Sequence, residues 1–374
     1  MGAKLHIVSF NVPYPADYGG VIDVFYRIKA LHKLGVEVVL HTFTYGRPEA
    51  KELEGYCSEV RYYKRKTGLV SALGRRPYIV GSRDCKELME DLRQSDGPIL
   101  LEGLHCCAVL EHVEGRKIMV RAHNVEHDYY SRLADVEGNL LKRIYLRSDA
   151  CKLRRYEPIL RKAAAVFAVT EADAAHFREI GCGNVRLMPS SHINDDVVSL
   201  PSSDGEPDER YALYHADLSV AENIEAAMFL VDKVFRRSNC RLVVAGRNPS
   251  RQIVDAVSSI PNARLVANPD DAEMQNLIRN AHVQILVTNM ATGLKLKLLN
   301  SLYAGRHCLV NSKMVAGTDL GKVCTVADDE DALLAELDRL MKTPFTVEDI
   351  VSRRNLLGTL YSNEANARIL IGGL

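Results

Sequence analysis

The sequence predicts an α/β protein of two domains, each built on a parallel sheet, with a cleft between them. Three observations carry this. Short apolar runs alternate with helical patterns along the 374 residues; one polar, turn-rich stretch interrupts the alternation midway; and the alternation then restarts. Apolar residues are 47% of the chain, enough for two cores, and 48 basic side chains balance 48 acidic ones, which argues against a nucleic-acid-coating protein.

The first unit of the pattern is the clearest. Leu5 to Phe10 reads as a buried strand, and a loop with two prolines and two glycines, NVPYPADYGG, follows it. Val21, Val24, Phe25, Ile28 and Leu31 recur at helical spacing to Leu34, and Gly35 stops the helix. Val36 to Phe43 is the next strand. Strand, helix and strand make a βαβ unit, which requires parallel pairing. Ile99–Glu102, Lys117–Arg121, Ala165–Val169 and Val185–Met188 read as further strands, with a basic helical stretch over Leu140–Lys162 among them. Pro201 to Glu209, PSSDGEPDE, reads as a linker.

Beyond it, Tyr211–His215, Arg241–Ala245, Ala263–Ala267, Gln284–Val287 and His307–Asn311 are the predicted strands. Helices are predicted over Glu222–Phe235, Ala272–Ala281, Leu294–Ala304 and Glu330–Met341. The predicted domains are 1–195, 196–360, and a segment 361–374 that returns to the first. Open parallel sheets bind ligands beyond their C-terminal strand ends, so both halves are expected to present those ends to the cleft.

Several classes are excluded. No window of 18 apolar residues exists, so no spanning helix is expected. The N-terminal apolar run ends at Phe10 without a small-residue cleavage site, so no signal peptide is expected, and His6 stands where a myristoylation signal needs Ser or Thr. Nine cysteines without a CxxC pair make neither a disulfide framework nor a zinc ribbon and point to a reducing compartment, the cytoplasm.

Five strings carry candidate chemistry. Gly19 and Gly20 sit where the first loop meets the first helix, and a glycine there lets backbone approach a ligand at the helix N-terminus. Thr292-Gly293-Leu294-Lys295-Leu296-Lys297 follows a strand and opens a helix, so its N–H groups and lysines suit a diphosphate. Arg247, after the strand Arg241–Ala245, suits a phosphate as well. His123, Glu126 and His127 form a polar cluster at a strand end. They also spell HxxEH, an inverted zinc-peptidase signature, but the string begins in a loop directly after a strand, and no metal is assigned. The last is basic: Lys64, Arg65, Lys66, Arg75 and Arg76, interleaved with Tyr62, Tyr63, Leu69, Val70, Leu73 and Tyr78, joined by Lys142, Arg143, Arg147, Lys152, Arg154 and Arg155. This composition suits peripheral contact with an anionic membrane, and no nucleic-acid motif accompanies it.

Four stretches then resemble a known family: PYPADYGG, RAHNVEH, YHADLSVAENIEAA and TGLKLKLLNSLYAGRHCLVNS. Over nearly its whole length the chain resembles retaining GT-B glycosyltransferases of family four, notably the Bacteroidetes-type group 1 enzymes. The resemblance implies two Rossmann-like domains facing each other across a cleft. It implies transfer of a sugar from a nucleotide-sugar to a glycan or lipid-linked acceptor, in cell-surface glycan or polysaccharide synthesis at the inner membrane face. No cofactor is implied, because cations and helix N–H groups stabilise the leaving diphosphate without a metal. His123, with Glu126 near it, then lies beside the transferred sugar. Gly19 and Gly20 lie over donor or acceptor. Gly293, Leu294 and Lys297 hold the phosphates, supported by Lys295 and Arg247. The family's paired glutamates fall at Thr292 and Asn300, and its basic pair is missing from Ala216 to Asn223; Asn300 is expected to bind the donor by keeping part of the ribose contact that the second glutamate makes. The alternative is therefore a degenerate protein of the same fold that binds nucleotide or glycan without turnover.

Overall fold

A computed structural model describes residues 3–68, 74–194, 197, 210–291 and 293–373. The predicted linker Pro201–Glu209 and Thr292, with Leu69, Val70 and Leu73, lie outside the described residues. The chain divides into two compact units, Met1–Ile193 with Leu360–Leu374, and Asn194–Thr359.

The first unit is a seven-stranded parallel sheet in the order β3-β2-β1-β4-β5-β6-β7. Its strands are β1 (Lys4–Ser9), β2 (Glu37–Thr44), β3 (Glu59–Lys64), β4 (Ile99–Glu102), β5 (Ile118–Ala122), β6 (Ala165–Ala168) and β7 (Val185–Leu187). The central strands are buried along their whole length, hence their continuous apolar runs. Counting helices of eight residues or more, α1 (Gly19–Lys33), α2 (Lys86–Gln94), α3 (Glu126–Val136), α4 (Leu140–Tyr156) and α5 (Glu171–Glu179) belong to this unit.

The second unit is a six-stranded parallel sheet, β10-β9-β8-β11-β12-β13. The strands are β8 (Tyr211–Asp217), β9 (Arg241–Arg247), β10 (Ala263–Ala267), β11 (Val283–Leu286), β12 (His307–Val310) and β13 (Thr325–Val326). Its helices include α6 (Ala221–Phe229), α7 (Arg251–Ser258), α8 (Asp271–Asn280), α9 (Leu296–Ala304), α10 (Glu330–Leu340) and α11 (Val347–Leu360). A last helix, α12 (Asn363–Ile371), packs on α1 in the first unit, where Asn363 Nδ2 donates to the carbonyl of His192 at 2.7 Å.

Both sheets share the doubly wound plan in which the chain starts centrally, winds to one edge, and returns to build the other side. The order reverses between β1 and β4, and between β8 and β11. Ligands in such sheets bind outside the strand C-termini at that switch point.

Three predicted helices need correction. The stretch Leu140–Lys162 is not one helix: α4 ends at Tyr156, and a tighter turn, Glu157–Lys162, carries Pro158 near its start. The stretch Glu222–Phe235 is α6 followed by a wider turn, Leu230–Val234. The helix predicted from Leu294 begins at Leu296, because Gly293 adopts φ 65° and Lys295 is extended.

Candidate functional site

At the first switch point, four buried charged side chains surround a nearly buried histidine. Asp23 and Arg27 lie one turn apart on α1, Glu102 ends β4, Arg121 lies on β5, and His123 follows β5. Asp23 is the hub. Its Oδ2 accepts from Arg121 Nε at 3.1 Å, its Oδ1 accepts from the Ser191 backbone N–H at 2.6 Å, and Arg27 Nη2 stands 2.5 Å from Oδ1. Arg27 also ion-pairs with Glu102. His123 is clasped from both sides, Nε2 2.9 Å from Glu102 Oε2 and Nδ1 3.3 Å from Asp23 Oδ2.

Burial alone would lower the His123 pKa, but the hydrogen bonds and charges of Asp23 and Glu102 outweigh it and hold the imidazole above its ordinary value. Burial pushes the Asp23 carboxyl up, yet Arg121, Arg27 and His123 together hold it well below the carboxylate range. The two carboxylates and two guanidiniums thus pair off, and a protonated His123 adds one positive charge.

His123 is only one-tenth exposed and both its nitrogens have carboxylate partners. It reaches a substrate hydroxyl through nitrogen only by giving up one of them. Phe10 walls the site, its ring centroid 5.5 Å from that of His123 and 5.1 Å from that of His105. Gly103 is required where β4 ends. Its φ is +77°, and a Cβ there would stand 2.7 Å from His105 Nδ1.

Glu126 opens α3 and is buried, with its Oε1 4.0 Å from His105 Nδ1. Burial raises its pKa to about 7. His127, the last residue of HxxEH, turns away toward Glu157 and His176. The zinc-peptidase grouping of His123, Glu126 and His127 is therefore not built. Gly19 and Gly20 are the first residues of α1, whose first turn holds no acidic side chain. A Cβ on Gly20 would lie 2.7 Å from Phe10 Cζ, so glycine lets α1 start against this wall.

The second unit gathers a cationic loop at its own switch point. Gly293, Leu294, Lys295 and Lys297 lead from β11 into α9. The first N–H groups of a helix lack intrahelical partners, and no acidic side chain occupies the first turn of α9. Lys295 Nζ stands 3.3 Å from Glu222 Oε1, and Glu222 also accepts from Thr288 Oγ1. Lys297 Nζ donates to Asn223 Oδ1 at 3.0 Å and lies 5.4 Å from the Tyr214 ring centroid. Burial lowers the Lys297 pKa to about 8. Ala216–Asn223, which lacks the basic pair that the resemblance expects, thus supplies the partners of both lysines.

Arg247 ends β9 beside Asp217 in register, half-exposed and 3.6 Å from Asp271. Asn300 lies on α9, and its Oδ1 accepts from Asn194 Nδ2 at 2.9 Å and Gln275 Nε2 at 3.3 Å. Both lone pairs of that oxygen are committed within the protein. Gly246 is needed here as well, since a Cβ would stand 1.8 Å from the Ala216 carbonyl oxygen.

Asp23, Arg27, Glu102, His105, Glu222 and Asn223 were not among the residues predicted for the site, and Arg121, the first residue of RAHNVEH, carried no predicted role. The readable signal was positional: Glu102 and Arg121 terminate neighbouring apolar strands, where active sites of such sheets form.

The predicted basic surface divides. Arg65 lies over the Tyr45 and Tyr78 rings at 4.4 and 5.0 Å, Lys66 donates to the Asp84 carbonyl, and Arg76 pairs with Asp84 and Glu111. On α4, in contrast, Leu140, Leu141, Ile144 and Tyr145 are exposed beside Lys142 and Arg143. Among the described residues, no helix is long and apolar enough to cross a membrane.

Two doubly wound parallel-sheet units in one chain form the GT-B glycosyltransferase fold. The chain is similar to WaaG, a glycosyltransferase involved in lipopolysaccharide biosynthesis, at 13% identity and a TM-score of 0.65, covering 98% of this chain and 100% of that one. It is similar to Alr3699/HepE from Anabaena, solved in complex with UDP and glucose, at 10% identity and a TM-score of 0.61, covering 98% and 94%. In sequence it is 23% identical over 351 residues to an uncharacterized 44.6 kDa protein in the cps region of Klebsiella pneumoniae, covering 88% of each. No family model matches the chain.

Proposed function

We propose that this protein is a retaining, metal-independent glycosyltransferase. It moves a hexose-like sugar from a nucleotide-sugar to a hydroxyl of a glycan or lipid-linked acceptor, in cell-surface glycan or polysaccharide synthesis. The observation that carries the reading is the loop Gly293–Lys297: a half-buried ammonium beside the open N-terminus of α9, at a switch point of this fold. When the bond between the anomeric carbon and the diphosphate oxygen breaks, negative charge builds on the leaving group. Lys297 and the first N–H groups of α9 are positioned to stabilise it, with Lys295 shared between Glu222 and the phosphates. His123 acts as a positioning residue, holding the loop after β5 between Asp23 and Glu102. Glu126, neutral through much of the acid range, is the nearby group able to donate or accept a proton.

The involvement of WaaG in lipopolysaccharide biosynthesis and the cps-region location of the Klebsiella relative support surface glycan synthesis as the setting. The UDP and glucose bound by HepE support a nucleotide-sugar donor. We place peripheral contact with the cytoplasmic membrane face mainly on the exposed apolar and basic start of α4, with Lys64–Arg76 as a weaker contributor. The occupied oxygen of Asn300 leaves the second glutamate's ribose contact unreproduced, which supports a second reading: a degenerate protein of the same fold that binds a glycan, or a nucleotide weakly, without turnover.

A thermal-shift panel of nucleotide-sugars tests the proposal. A ligand at a hundred times its dissociation constant adds about 2.7 kcal/mol. One nucleotide-sugar should raise the melting temperature of wild type and raise that of Lys297→Ala less at the same concentration. If none does, the donor site is wrong.

A further inference from the structure

Away from both sites, three side chains converge at one wall of a pocket of 840 Å³ in the first unit. His127 comes from the first turn of α3, Glu157 from the turn where Pro158 ends α4, and His176 from α5. His127 Nδ1 is 3.3 Å from Glu157 Oε1, and His176 Nε2 is 2.7 Å from Glu157 Oε2. One ligand atom from each of the three lies within 4.8 Å of the others.

We propose that His127, Glu157 and His176 bind a divalent transition-metal ion, zinc being the metal that this donor set suits. Zinc–nitrogen and zinc–oxygen bonds of about 2.0–2.1 Å place neighbouring ligand atoms of a tetrahedron roughly 3.3–3.4 Å apart. The His127–Glu157 spacing already has that value, and His176 needs a shift of side-chain size. Two imidazoles with one carboxylate favour zinc over magnesium or calcium, which prefer all-oxygen sites. The pocket supplies room for water as the fourth ligand.

A second observation points the same way. His127 Nε2, the nitrogen away from the cluster, lies 3.4 Å from Asp128 Oδ1. A carboxylate on the far nitrogen is the arrangement that fixes the tautomer and orientation of a metal-bound histidine. The ion would tie α3, the turn after α4, and α5 together one residue from Glu126, and so brace the loop that carries His123. This inference is independent of the proposed transfer reaction.

The test uses full-length protein stripped of metal and titrated with Zn²⁺ against a chromophoric chelator. One ion should bind per chain, and millimolar Mg²⁺ should not displace it. His127→Gln and His176→Gln should each loosen binding at least tenfold. Asp128→Ala, a change at an exposed residue, should loosen it about 10- to 100-fold. Cys151, which also lines the pocket, is the competing ligand, and Cys151→Ser should leave affinity unchanged. Co²⁺ in wild type should give the visible absorption of a four-coordinate site, absent in His176→Gln. Unchanged zinc affinity in both histidine variants and in Asp128→Ala, or affinity lost in Cys151→Ser, overturns the proposal; so does the absence of a bound ion at millimolar Zn²⁺.

Discussion

Replacing Glu126 by glutamine should remove a pH dependence built into the first unit. Glu126 is buried, and this raises its pKa from 4.5 to about 7. The folded state therefore keeps a proton that the unfolded state releases, between about pH 4.5 and 7. Linkage gives the sign: stability falls as pH rises through that window and levels off above it, because the ionised carboxylate is disfavoured only in the folded protein. One pKa unit is worth about 1.4 kcal/mol, so between pH 5.5 and 8 the loss from this group is roughly 2 kcal/mol. Glutamine resembles the protonated acid and does not titrate. The assay is urea unfolding, followed by far-ultraviolet circular dichroism, of wild type and Glu126→Gln across that range. The stability advantage of the variant should grow by about 2 kcal/mol from pH 5.5 to 8. A constant difference between the two proteins would refute the claim that Glu126 is held neutral by burial.

Further predictions concern the second unit and the surface. The Lys297 ammonium, with its pKa near 8, should lose its proton as pH rises, so nucleoside diphosphate affinity should fall between pH 7 and 9. Lys297→Ala should weaken that affinity by about 1–3 kcal/mol and flatten the profile, both read by calorimetry. Gly246→Ala places a Cβ 1.8 Å from a backbone carbonyl and should lower stability by about 1–3 kcal/mol or more, with faster hydrogen exchange in β8 and β9. Leu141→Glu with Ile144→Glu should abolish cosedimentation with anionic vesicles, whereas Arg75→Glu with Arg76→Glu should reduce it less, because Arg76 already serves Asp84 and Glu111.

The parallel sheets were legible because buried strands such as Ile99–Leu101 and Ile118–Val120 are continuous apolar runs between turn signals. The edge strand β3 was not, since EVRYYK mixes charge with aromatic residues on a half-solvated edge. Pro158 was visible, yet the basic periodicity around it read as a single helix. Of the first site, His123 and Glu126 could be read from RAHNVEH. Asp23 and Arg27 could not, because an acid and a base four apart on a helix ordinarily mark a solvated face, and only tertiary structure buries this pair against Glu102 and Arg121. Likewise Glu222 offers no sequence signal for its pairing with Lys295, 73 residues away.

The most direct measurement follows a nucleotide-sugar that stabilises the protein by proton nuclear magnetic resonance, in the presence of purified wild type. The nucleoside diphosphate should be released, the sugar should pass slowly to water or an added acceptor with the anomeric configuration retained, and Lys297→Ala should lose both. A donor that binds and stays intact would contradict the catalytic reading, and an inverted product would contradict retention.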